Sequence, residues 1–229
     1  MTTYTILIID DHKEQALDIK KQIEQLDSSF QVDIANDADY AIKGTYDAYL
    51  SDIMMPIHSG IEIGNMIYKK NPEAIMMLMS SLESHSDGKQ QFPTFAFIPK
   101  AEMTKRLPEV LEQLKKVLEY KHVTITVEQD GQEVKIPVHK IYKVKRKRHQ
   151  LMLELKDASY PYEMDWEAFQ QRYDRYFMCP KNKLLVNPAY AFYYEAGHTI
   201  QMGKETISVS IFKRKECKEK FSTYLKNFF

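Results

Sequence analysis

Five polar positions in the first hundred residues have side chains able to handle a phosphoryl group. Asp10 and Asp11 are adjacent, Asp52 lies in the string Leu-Ser-Asp-Ile-Met-Met-Pro four residues before Pro56, and Ser80 and Lys100 follow. Adjacent carboxylates repel, so each costs stability unless a cation or a shared proton offsets the charge. Three carboxylates are hard oxygen ligands that suit an octahedral ion such as Mg2+. A carboxylate can also be the nucleophile that forms an acyl phosphate, while an ammonium and a hydroxyl contact phosphoryl oxygens. A blander role for Asp10 and Asp11 is to open the helix that follows, since aspartate caps helix N-termini.

These positions need elements that bring them together. Residues 6–9 are four consecutive apolar residues, the pattern of a strand buried on both faces. Helical spacing follows over residues 13–26, then a short alternating strand over 30–35 and a short helix over 38–44. Strands are predicted at 49–53, 75–79 and 95–98, with a helix at 60–70 closed by Pro72 and a long amphipathic helix at 102–120. Residues 82–93 carry only a weak helical pattern. Strand and helix in alternation predict an α/β doubly wound parallel sheet of five strands. Its strands end in Asp10-Asp11, Asp52, Ser80 and Lys100, and in such a sheet these ends share the edge where ligands bind.

The set Asp10-Asp11, Asp52 with Pro56, Ser80 and Lys100 resembles the receiver domain of two-component response regulators, a flavodoxin-like fold, over residues 4 to about 120. The resemblance implies that Asp52 accepts a phosphoryl group from a sensor histidine kinase. It also implies that Asp10, Asp11, Asp52 and the Met54 carbonyl hold Mg2+, that Ser80 and Lys100 contact the phosphoryl group, and that Phe97 is an aromatic switch. On this reading the chain is a phosphoacceptor, not an enzyme, with at most slow self-dephosphorylation. Two positions depart from the family pattern. Proline precedes the lysine (Pro99-Lys100-Ala101) where receivers usually place it after, and Ser81 stands where alanine is common.

At 229 residues the chain can form two domains, each with its own core. The expected division is 1–121 and 122–229. Net charge is zero overall, but residues 1–121 carry 13 basic against 19 acidic side chains, a net of −6, and residues 122–229 carry +6. The basic half suggests a nucleic-acid partner. No apolar run approaches the ~20 residues of a membrane span, and Cys179 and Cys217 sit in no metal-binding cluster. The expectation is a cytoplasmic protein with reduced thiols and no membrane partner.

Beyond residue 122 short strands dominate: 123–127 and 134–138 around an Asp-Gly turn, then 141–144, 151–155, 184–186, 191–195, 199–202 and 206–209. A short helix around Trp166 and a C-terminal helix over 213–228 complete the pattern, and no helix–turn–helix motif is present. Three basic segments suit DNA: Lys145, Arg146, Lys147, Arg148 and His149, read as a loop; Lys181, Asn182 and Lys183; and Lys213, Arg214 and Lys215. The string Phe-Met-Cys-Pro-Lys-Asn-Lys-Leu-Leu-Val-Asn-Pro, together with residues 207–215, resembles the LytTR DNA-binding domain, an elongated mainly-β module. The resemblance implies base contacts by His149 and Asn182. A third contact is open, because Ile211 and Phe212 stand where the family commonly has arginine, with Lys213 and Arg214 beyond. The implied protein is a transcription regulator that binds promoter double-stranded DNA, dimerises when phosphorylated and serves systems such as quorum sensing. An RNA- or protein-binding module that works independently of phosphorylation is the alternative.

Overall fold

The computed structural model describes residues 2–81, 90–148 and 150–228. They divide into two compact units, residues 1–118 and 119–229. In the first, β1 (Tyr4–Ile9), β2 (Phe30–Ala35), β3 (Ala48–Asp52), β4 (Ile75–Ser80) and β5 (Thr94–Pro99) alternate with α1 (Lys13–Leu26), α2 (Ala38–Lys43) and α3 (Gly60–Lys70), and α4 (Met103–His122) follows β5. The strands form one sheet in the order β2-β1-β3-β4-β5, and every pairing is parallel.

The continuous apolar runs have a direct structural cause. Successive side chains on a strand point to opposite faces, so a sheet covered on both sides needs apolar residues at every position. Ile6, Ile8, Leu50, Met77 and Ile98 pack with Ile19 and Ile23 of α1 and Leu107, Leu111 and Leu114 of α4. Leu7, Ile9, Tyr49, Met76 and Leu78 pack in the other layer with Ala41 of α2 and Ile61, Ile63 and Ile67 of α3. The strand order reverses direction between β1 and β3, and at that point the strand ends leave a crevice.

The second unit begins inside the last turns of α4, because Tyr120 belongs to its core. The hairpin of β6 (Thr124–Gln129) and β7 (Gln132–Pro137) turns at Asp130 and Gly131, both with positive φ, the backbone that a two-residue hairpin of this kind requires. Then come β8 (Lys143–Lys147), β9 (Gln150–Glu154), β10 (Ser159–Tyr162), α5 (Trp166–Arg172), β11 (Met178–Lys181) and β12 (Leu184–Val186), followed by β13 (Phe192–Tyr194), β14 (Thr199–Met202), β15 (Glu205–Ser208) and α6 (Arg214–Phe228). One antiparallel sheet has the order β10-β9-β8-β12-β11, and a second has β13-β14-β15.

Asn187 ties this unit together. It is fully buried, its Nδ2 donates to the carbonyls of His139 and Ile141 at 3.0 Å each, and its Oδ1 accepts from the Ala189 amide at 2.9 Å. Asn187→Ala strips three backbone groups, one of them fully buried, of these partners. The expected loss is about 2–4 kcal/mol, read as a lower urea midpoint with an unchanged m-value.

Candidate functional sites: an acidic sheet edge and a basic sheet end

At the carboxyl edge of the parallel sheet, Asp10 follows β1, Asp52 ends β3 and Lys100 follows β5. The Lys100 ammonium donates to Asp52 Oδ2 at 2.7 Å, Asp10 Oδ2 at 3.0 Å and Gln15 Oε1 at 2.6 Å. Asp10 and Asp52 are buried, and the Lys100 side chain is 9% exposed. Burial opposes the charge on Lys100. Hydrogen bonds and Coulomb attraction from Asp52 and Asp10 outweigh it and hold the ammonium above the ordinary lysine pKa. A buried cation thus sits between two buried anions and stays charged.

The remaining contacts orient the carboxylates. Asp52 Oδ1 accepts from the Met54 amide at 3.1 Å, and Asp10 Oδ1 accepts from the His12 amide at 2.8 Å. Asp10 therefore ties down the chain at the entry to α1 as well as serving the cluster. Asp52 is fixed from below by α3. Ser59 and Glu62 form a reciprocal capping box at the start of that helix, and a Cβ on Gly60 would lie 2.0 Å from the Asp52 carbonyl oxygen. Only glycine lets the helix approach the strand end so closely.

Potential ligand atoms of Asp10, Asp11, His12 and Asp52 all lie within 4.8 Å of one another. Cis and trans oxygens around an octahedral Mg2+ with ~2.1 Å bonds stand about 3.0 and 4.2 Å apart. The widest spacing exceeds the trans span by only about 0.6 Å, so small side-chain movements would let the acidic cluster close on one small divalent cation. Ser80 is buried at the end of β4. Phe97, opposite Leu78 in the β4–β5 register, is half-buried against the α2–α3 layer.

The basic segments of the second unit meet at one end of a sheet. Leu184 pairs with Lys145 and Val186 with Lys143, so the β11–β12 turn lies beside the outgoing end of β8. The Arg146 amide donates to the Lys183 carbonyl at 3.1 Å. Asn182 and Lys183 form that turn, with Lys183 at φ +64°, and Arg148 leaves β8 at φ +51°. The Ser210 amide donates to the Pro180 carbonyl at 2.9 Å, which sets the segment before α6 beside the same end of β11.

The sequence expectation of a basic loop at Lys145–Arg148 needs correction, because Lys145, Arg146 and Lys147 lie on strand β8 and only Arg148 is in the turn. The strand was misread because Val144 is its only buried apolar side chain, so the alternation that marks a strand is missing. Lys145 pairs with Glu154 at 2.8 Å and Lys213 with Glu216 at 2.9 Å. Lys213 precedes α6 in a short 3-10 turn, and Arg214, half-buried, is the helix's first residue. Arg146, Lys147, Arg148, Lys181 and Lys183 have no carboxylate within ion-pairing distance among the described residues. His149 lies outside the described residues.

Residues 6–112 match the response regulator receiver domain family model. The first half of this chain is a receiver domain. Response regulator ArlR of Staphylococcus epidermidis, from two strains, is 32% identical over 84 residues, 35% of this chain and 37% of ArlR. The match thus spans little more than a third of these curated relatives. Among solved structures, the response regulator TrrA from Thermotoga maritima, in complex with Mg2+ and BeF, is 24% identical. It covers 50% of this chain and 99% of its own, with a TM-score of 0.44. The LytTr DNA-binding domain of a methyl-accepting/DNA response regulator from Bacillus cereus is 14% identical, covers 42% of this chain and 94% of its own, and has a TM-score of 0.37.

Within the receiver, Pro99 before Lys100 does not prevent the lysine from reaching both aspartates, and no cis peptide occurs among the described residues. Gln15, His12 and Gly60 were missed from sequence. Gln15 is an ordinary polar residue on the first turn of a helix, and nothing local marks it as a partner of Lys100. Ser59 and Glu62 do carry a readable signal, the S-x-x-E pattern of a capping box, which places Gly60 at the helix start.

Proposed function

We propose that this chain is a cytoplasmic response regulator that controls transcription through phosphorylation of Asp52. The observation that carries the first half of this reading is the Asp52 carboxylate, buried and held by the Met54 amide on one oxygen and the Lys100 ammonium on the other. In the transfer, Asp52 oxygen forms a bond to phosphorus as the phosphorus–nitrogen bond to a sensor kinase histidine breaks, giving an acyl phosphate. Asp10, Asp11, Asp52 and the Met54 carbonyl would hold Mg2+, which would neutralise charge on the incoming phosphoryl oxygens. Lys100 would turn from the bare carboxylates to the phosphoryl group, and Ser80 and Phe97 would follow it, shifting a two-state receiver.

The second unit is read as a LytTR-type module for promoter duplex. Its support is the resemblance of residues 177–188 and 207–215 to that family, together with two basic turns meeting at one sheet end. Lys181, Lys183 and Arg148 there would neutralise phosphates, and Asn182 and His149 would meet base edges. Dimerisation on phosphorylation would let two copies grip paired sites with raised effective concentration. A peptide-sensing regulatory system is the setting that the resemblance suggests.

Titrating duplex and single-stranded RNA with the full chain from ~50 to ~200 mM salt tests the DNA reading. The expected result is sequence-selective duplex binding with a steep salt slope. Lys181→Ala with Lys183→Ala should reduce that slope by about 2 and weaken all duplexes alike. Equal or tighter binding to RNA, or no nucleic-acid binding at all, would overturn it.

A further inference from the structure

Among the described residues of the second unit, the most exposed large apolar side chains are Ile211 and Phe212, at 71% and 94% exposure. They are consecutive, on a short helical turn (Ile211–Lys213), and the Ser210–Pro180 hydrogen bond sets that turn beside the end of β11. Lys181 and Lys183, neither in an ion pair with a carboxylate among the described residues, flank the same strand end, and Asn182 lies between them. An isolated exposed apolar residue needs no explanation, but two adjacent ones beside a cationic strand end do. The surroundings fit a polyanion that also presents apolar groups. Duplex DNA does so in its major groove, where the thymine C5-methyl group is the one apolar feature among hydrogen-bonding base edges. Arg214, a sequence candidate for the open third contact, is half-buried at the start of α6, whereas Ile211 and Phe212 on the preceding turn stand clear of the surface.

We propose that Ile211 and Phe212 form an apolar reading head that selects thymine by contact with its methyl group, while the neighbouring lysines hold the backbone. This rests on the DNA reading of the second unit. The neighbouring lysines supply affinity without regard to sequence, and the apolar pair supplies preference at one or two base pairs.

The full-length chain is used to select duplexes from a random pool at ~150 mM salt. Deoxyuridine then replaces thymidine singly across the selected site. At one or two positions, loss of the methyl should weaken binding by about four-fold each. Phe212→Ser should weaken the selected site by about ten-fold, leave a scrambled duplex nearly unchanged and become indifferent to the deoxyuridine change at those positions. Because Phe212 is almost wholly solvent-exposed, the variant should fold as the parent does. Full methyl sensitivity retained in both Phe212→Ser and Ile211→Ser would overturn the proposal, as would equal loss on selected and scrambled duplexes. A parent that self-associates without DNA while Phe212→Ser does not would assign the patch to a second copy and likewise overturn it. Scrambled-duplex binding by the parent at low salt separates the two readings. Its presence with no thymine effect removes only this proposal, and its absence removes the DNA reading with it.

Discussion

Asp52→Asn should lower phosphoryl uptake from a small-molecule acyl phosphate or a partner kinase by at least about a hundred-fold, with the fold intact. Asparagine keeps the planar group, so the Met54 amide can still donate to its oxygen; its NH2 then faces the Lys100 ammonium, which draws back onto Asp10 and Gln15. What disappears is the anionic nucleophile, since an amide has no comparable lone pair to offer phosphorus. The variant also removes one of two buried carboxylates that lie close together, so relief of repulsion offsets part of the lost ion pair. Its melting temperature should therefore stay near that of the parent. Intact-mass measurement after incubation with acetyl phosphate and Mg2+ reads the outcome directly. A phosphorylated species formed as fast in the variant as in the parent would place the acceptor elsewhere.

The expectation for Asp52 came from sequence because a chemical site at a strand end leaves a local trace. Asp10, Asp52, Ser80 and Lys100 each terminate or follow an apolar run, so the run gives the strand and the polar residue gives the edge. The doubly wound parallel sheet was equally open to reading, since alternating strands and helices permit few topologies, while its order β2-β1-β3-β4-β5 comes from the structure. The second unit was harder. Strands β10 and β11 passed unseen, because Pro161 and Pro180 lie inside them and a proline usually argues against a strand. Both are outermost strands of their sheet, where a missing amide donor is tolerated. Arg146 and Lys147 looked like loop because their strand rests on backbone pairing to β9 and β12 and hardly at all on side-chain burial. Gln15 could not have been found at all, since its tie to Lys100 joins positions 85 residues apart and exists only once the sheet edge has formed.

Lys100→Met should be the most destabilising single change at the acidic edge, by about 3–5 kcal/mol in the presence of a chelator. The methionine fills nearly the same volume along its stem, so the loss is electrostatic. Asp10 and Asp52, both buried, lose the cation that stands 3.0 and 2.7 Å from their oxygens, and two uncompensated anions face each other. Two remedies follow from this cause. Adding Asp52→Asn to Lys100→Met leaves a single buried charge and should recover part of the loss, a coupling that a double-mutant cycle measures. Supplying a divalent cation should also stabilise the Lys100→Met protein, and by more than it stabilises the parent, because the ion no longer competes with an ammonium for the same oxygens. At a concentration about a hundred times the dissociation constant, binding to the folded state alone contributes about 2.7 kcal/mol. Thermal melts of parent and variant with EDTA and with Mg2+ therefore carry the test. A gap between their melting temperatures that is the same in both conditions would show that Lys100 and the ion do not answer to the same carboxylates.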